Sequence, residues 1–217
     1  MAYTLQTPPV NEALDFVDTK NYLRVEVTED DYLIKAFISA ARRHTEQFLR
    51  RSLITQTWRR YLDTFPLYST TLLPPGLVYG QNYPFNYPLT SSVNIDLEWG
   101  KVQLISSIKY YDENDFFQTF SSAKYRLDSV TEPARIVLVK GEVWPVTQYR
   151  RPNAVEIEYV AGYGATFANI PDDIQLAMKL LVGHWYENRM SVSDTEYLEM
   201  PLGVERILTP HRIMTFS

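Results

Sequence analysis

The stretch LLVGHWYENRMSV, residues 180–192, sets His184 and Glu187 three positions apart, beside Trp185, Tyr186 and Arg189. On a helix that spacing brings an imidazole and a carboxylate to one face, as two metal ligands or as a base with its orienting acid. A metal site needs at least one more donor, and the other two histidines, His44 and His211, fall in a distant helix and in the C-terminal tail. Packing accounts for the stretch better. Gly183 costs about 1 kcal/mol against alanine inside a helix, which predicts that another backbone comes close there, while Trp185 and Tyr186 supply apolar area with polar handles. Other reactive signatures are missing. No serine stands in G-x-S-x-G, no Walker loop occurs, and AGYG at 161–164 lacks the G-x-G-x-x-G spacing. DENDFF at 112–117 lacks the glycine and distal glutamate of an EF-hand loop and reads as a solvated turn. No catalytic, cofactor-binding or metal-ligating residue is therefore predicted. Four arginine pairs begin at residues 42, 50, 59 and 150, and they read as charged surface or as partners for acidic groups at an interface.

The elements that must position such residues are bounded by composition. At 217 residues, 45% hydrophobic and 14% aromatic, the chain can bury one core or two. It has no cysteine, so neither disulfides nor a cysteine-based zinc site holds it together. Its net charge of -5 gives no general attraction to nucleic acid. MAYTLQTPPVNEALDF lacks the pattern of a signal peptide, and no apolar run approaches the roughly 20 residues that span a bilayer. The expectation is a soluble protein made in the cytosol, without a membrane partner.

Phe16, Val17 and Leu23 predict a short helix. Thr28 and Asp31 form a T-x-x-D capping signal for a longer one at 29–51, whose apolar stripe is Ile34, Phe37, Ile38, Ala41, Thr45, Phe48 and Leu49. Lys35, Arg42, Arg43 and Glu46 are assigned to its opposite, solvent-facing side, and Arg50 and Arg51 to its negative pole. Strands are predicted from residue 53 onward and at 95–99, 102–104, 107–111, 116–120, 125–127, 136–139 and 155–159, with YYDENDFF as a hairpin and no crossover helices between them. That pattern excludes a doubly wound nucleotide-binding fold. Residues 67–94 mix four prolines with Tyr79, Tyr83, Phe85 and Tyr87 and read as a binding arm for a neighbouring subunit or a tail component. Pro171, Asp172 and Asp173 open a second long helix, 172–188, with Ile174, Met178, Leu181, Val182 and Trp185 on one face.

The predicted fold is α+β. A bundle formed by the N-terminal part, 1–52, and the C-terminal part, 165–209, carries an inserted antiparallel β domain, 53–164, and an extended tail, 210–217. The two long helices should pack through Phe37, Leu181, Gly183 and Trp185. Pro210 should end any helix around 204–208, leaving Ile213, Met214 and Phe216 exposed in a mobile tail unless that tail folds back on its own subunit.

Five blocks together resemble the head-tail connector, or adaptor, proteins of tailed bacteriophages. They are NYLRV (21–25), LITQTW (53–58), SIKYYD (107–112), RRPNAVEIEYVAGYG (150–164) and LLVGHWYENR (180–189). The chain departs from the pattern in its aromatic arm and in Met190, where an acidic residue often follows. The resemblance implies a ring of twelve copies in the virion neck under the portal protein, docking a tail, stopper or nozzle protein. It implies no cofactor and no turnover, with genomic DNA passing through the lumen without specific binding. It also implies that the tail reaches the portal through Arg212, Ile213 and Phe216. The alternatives are a neighbouring tail-completion or stopper protein and, remotely, a hydrolase with a dispersed site.

Overall fold

The structure, a computed structural model, describes residues 2–66, 94–147, 151–188 and 201–214. In chain order these form β1 (Ala2–Thr7), α1 (Phe16–Tyr22), α2 (Asp31–Leu49), β2 (Gln56–Leu62), β3 (Ile95–Leu97), β4 (Val102–Tyr111), β5 (Phe117–Phe120), β6 (Tyr125–Asp128), β7 (Ala134–Leu138), β8 (Val155–Ala161), α3 (Asp172–Glu187) and α4 (Leu202–Leu208). The fold is α+β, as the sequence predicts. Its helices share one apolar cluster, and its strands form two antiparallel sheets around another.

Helix α2 turns Ile34, Ile38, Ala41, Thr45 and Leu49 inward, and α3 answers with Ile174, Ala177, Met178, Leu181 and Val182. The stripe read from the sequence is thus the buried one, but its solvent face needs correction. Arg42 and Glu46 are 9% and 6% exposed. The apolar stripe is wide, and these two residues flank it at positions where Glu12, in the segment between β1 and α1, meets Arg42 and where Leu53 and Gln56, at the start of β2, meet Glu46. The expected cap also differs. Asp30 is the N-cap and makes no side-chain capping bond, while the Thr28 carbonyl accepts from the Asp31 N–H at 3.1 Å. At the other end Arg50 adopts a left-handed conformation, φ 53°, that turns the chain out of the helix.

The five-stranded sheet runs β1-β2-β8-β4-β5. Strand β8, VEIEYVA, is central and alternates buried with half-buried residues, the period-2 pattern of a strand covered more heavily on one face. It pairs with β2 from Gln56↔Ala161 to Leu62↔Val155 and with β4 on its other side. Strand β4 is continuous where the sequence predicts two strands, because register shifts between Val102 and Leu104 and between Ile105 and Ser107 absorb the break in alternation. The sequence assigns no element to residues 2–7, which add β1 as an edge strand on β2. The second sheet, β3-β7-β6, closes over the first around Phe65, Leu97, Ile108, Ile136, Ile157 and Tyr159, all at most 1% exposed.

The helical and β layers meet at Gly162, where φ is 143° and a Cβ would stand 2.6 Å from the Ile54 carbonyl carbon. Any side chain there meets both an unfavourable backbone conformation and immovable backbone atoms. Gly162→Ala is expected to cost about 2–4 kcal/mol in urea unfolding. A loss below about 0.5 kcal/mol would show that the two layers are not held this closely.

Candidate assembly surfaces

At the seam between α2 and α3, Leu181 is 1% exposed, whereas Phe37 and Trp185 are half-buried with ring centroids 6.2 Å apart. The His44 ring meets the edge of Trp185 at 6.1 Å. The Tyr186 hydroxyl donates to Asp30 at 2.6 Å and ties the end of α3 to the start of α2. Gly183 does not face a backbone. The nearest atoms to a Cβ there would be Tyr22 Cε1 at 3.5 Å and Leu23 Cδ2 at 3.7 Å, ordinary contact with side chains at the end of α1. His184 and Glu187 lie on α3 as predicted, and the His184 carbonyl accepts from the Asn188 N–H that closes the helix. Among the described residues no group of three or more potential ligands could hold a metal ion, and no helix is long and apolar enough to cross a membrane.

At least one arginine of each pair meets acid within the chain. Arg42 reaches Glu46 at 3.1 Å and Glu12 at 2.8 Å, Arg59 bridges Glu156 and Glu158, and Arg151 pairs with Asp115 while lying 3.5 Å from the centre of the Tyr111 ring. Burial pushes the Glu46 carboxyl upward, but the Leu53 N–H at 2.9 Å, Arg42, and Gln56 at 3.0 Å all favour its ionised form. The hairpin over 112–116 is built as read. Asp112 accepts from the Phe116 and Asn114 N–H groups, both at 3.0 Å, and these bonds hold its carboxyl below the usual range. Phe116, at 64% exposure, stands out of that rigid turn.

The tail corrects the expectation most clearly. After α4 a 3-10 turn, Thr209–His211, brings the chain back onto its own subunit. The Ile213 N–H donates to the Leu49 carbonyl at 3.0 Å, and Ile213 is 3% exposed. Its seat exists because Gly100 lacks a side chain: a Cβ there would stand 3.0 Å from Ile213 Cδ1. Arg51 donates to the His211 carbonyl and grips Glu132 through both terminal nitrogens, while His211 Nε2 lies 2.6 Å from Asp173. Arg212 is exposed over the Phe48 ring at 5.1 Å, and Met214 is exposed. The predicted portal residues are thus not equivalent: Ile213 is occupied within the subunit, Arg212 is accessible, and Phe216 lies outside the described residues. Tyr79, Tyr83, Phe85 and Tyr87 of the arm also lie outside them.

The tail seat carries a pH dependence. The Arg51 hydrogen bond and charge hold Glu132 below the usual carboxylate range. Burial alone would raise Asp173, but its hydrogen bonds from His211 and Ile174 lower it instead. Carboxyls depressed in this way add stability above their unfolded values, about 4, and lose it as pH falls through their lower folded values. Glu132→Gln should therefore be less stable than the parent at neutral pH, with the gap closing as pH falls below about 4. Thermal unfolding across that range measures it, and a gap independent of pH would refute the assignment.

The family model described as head completion protein matches residues 118–214, just under half of the chain. No curated protein matches. Among solved structures, a chain in the virion of a native gene transfer agent particle is 18% identical with a TM-score of 0.73. Chains in the neck of the empty particle, computed with C6 symmetry, and of the native particle, computed with C12 symmetry, are both 19% identical, with TM-scores of 0.72 and 0.68. Each likeness covers 100% of this chain and 98% of the other. At these identities the structures show a shared fold. The resemblance to head-tail connectors read from the five sequence blocks is borne out by the family match and that fold together.

Proposed function

We propose that this chain is a structural head-tail connector in the neck of a tailed phage or phage-like particle. Copies form a ring, twelve in number, beneath the portal, extend the DNA channel and present a docking surface for the tail. The observation that carries this reading is the likeness over the whole chain to subunits of particle necks, joined to the head completion match over 118–214. The physical design agrees with it. The chain invests in buried polar seams and exposed aromatic and basic patches, such as Phe116 and Arg212, that suit protein contacts. Its formal net charge of -5 suits a channel through which DNA slides without sticking.

Portal contact through the tail falls to Arg212 and to the residues beyond Met214, Phe216 among them. Ile213 joins only if it first leaves its seat at Gly100. The arm, with Tyr79, Tyr83, Phe85 and Tyr87, contacts a neighbouring copy or a tail component. The family description also supports a second reading, a stopper that completes the filled head. Particles produced without this chain separate these readings from an unrelated role. DNA-filled heads that carry a portal but no tail, and that gain tails when purified chain is added, are expected for the connector. Heads that package DNA and then lose it point to the stopper, and tailed infectious particles formed without the chain refute both.

A further inference from the structure

Ile213 is buried, yet it belongs to neither the helical nor the β cluster. The firm anchor of the tail lies just before it. Val204 and Leu208 of α4 sit in the helical cluster, at most 1% exposed, and the turn Thr209–His211, which contains Pro210, ends that packing. Beyond it, residues 211–214 are held by one apolar side chain and three polar contacts. These are the Ile213 N–H on the Leu49 carbonyl, Arg51 on the His211 carbonyl, and His211 Nε2 on Asp173.

What each contact leaves behind when the segment lifts decides how the seat behaves. Arg51 is 6% exposed, but it keeps both oxygens of Glu132 and has Tyr163 as a further side-chain partner, so no buried charge is stranded. Asp173 is already half in water and simply returns to it. The Leu49 carbonyl lies in the last turn of α2, where carbonyls commonly bond to water. The floor of the seat persists as well, because the Ser52 N–H on the Gly100 carbonyl, 2.7 Å, and the Gly162 N–H on the Lys101 carbonyl, 2.8 Å, join the two layers without the tail. The main loss on opening is therefore the burial of a single isoleucine. Arg212 and Met214, exposed on either side of Ile213, give a partner two side chains to hold before the seat opens.

We propose that residues 211–214 form a releasable strap, closed on its own subunit in the free chain, which opposes portal binding until it opens. The strap presupposes the connector reading and adds to it an energetic brake. Closed, the seat keeps Ile213 and fixes the direction in which the chain leaves Met214; open, it releases Ile213 to join Arg212 against the portal. A ligand that needs the open form has its apparent affinity scaled by the open fraction. Loosening the seat should thus strengthen portal binding by the factor by which the open fraction rises. A tail that is merely packed in place gives no such gain.

Two substitutions act on the seat without touching the strap. Gly100→Ala sets a Cβ 3.0 Å from Ile213 Cδ1, and Asp173→Ala removes the partner of His211. Amide hydrogen exchange of the full-length chain at the Ile213 N–H reads the open fraction, and titration with isolated portal rings reads the affinity. In the parent, Ile213 should exchange faster than the amides of the central strand β8, which marks opening without global unfolding. Each substitution should speed Ile213 exchange by about tenfold, leave β8 unchanged, and tighten portal binding by the same factor. Ile213 exchange no faster than that of β8 in the parent, exchange that neither substitution changes, or portal affinity that stays level or falls where exchange has risen, overturns the proposal. Portal binding by none of the three chains would sink the connector reading, while exchange at Ile213 would still decide whether the segment opens as a strap.

Discussion

Glu46→Ala is expected to cost about 3–5 kcal/mol of folding stability, the range for breaking a buried ion pair by removing one partner. Arg42, 9% exposed, would keep its charge and lose the buried one of its two carboxylates, with only the more exposed Glu12 remaining. The buried Leu53 N–H would lose its acceptor, and so would the Gln56 amide. Each unsatisfied group adds its own desolvation cost. Glu46→Gln, which keeps an oxygen at the site, should cost less. An apolar pair, Arg42→Met with Glu46→Leu, should recover most of the loss because the burden is the stranded charge and not the missing attraction. Urea unfolding of the three variants measures this, and a loss below about 1 kcal/mol for Glu46→Ala would show that the network is not buried as described.

Leu181→Ala should cost about 3–5 kcal/mol, since this side chain is 1% exposed at the centre of the α2–α3 seam and helices on both sides limit its collapse. Phe37→Ala should cost roughly half as much, because its ring is already partly in water against Trp185. The ordering is as informative as the size. Equal losses, or the reverse order, would mean that the seam is centred nearer Trp185 than the core around Leu181.

The helices were legible because a stripe such as Ile34, Ile38, Ala41 and Thr45 repeats at the helical period and needs no knowledge of its partner. The strands were legible as elements, since β8 alternates cleanly, but their division into two sheets depends on pairings distant in sequence, such as Ile95↔Ile136. Arg42 and Glu46 were read as solvent-facing because charge is usually exposed; their spacing of four was the available signal that they could neutralise one another while buried. The tail misled for a different reason. The seat for Ile213 is made by a missing side chain at Gly100, on a loop far upstream, and no local pattern in HRIMTFS reveals it.

The central claim is that the chain acts as a ring in the neck. Electron microscopy of the purified full-length chain mixed with isolated portal rings tests it most directly. The predicted result is a single additional ring, coaxial with the portal and of twelvefold symmetry, with an open channel along the axis. Portal particles that remain bare at saturating concentrations of the chain would contradict it.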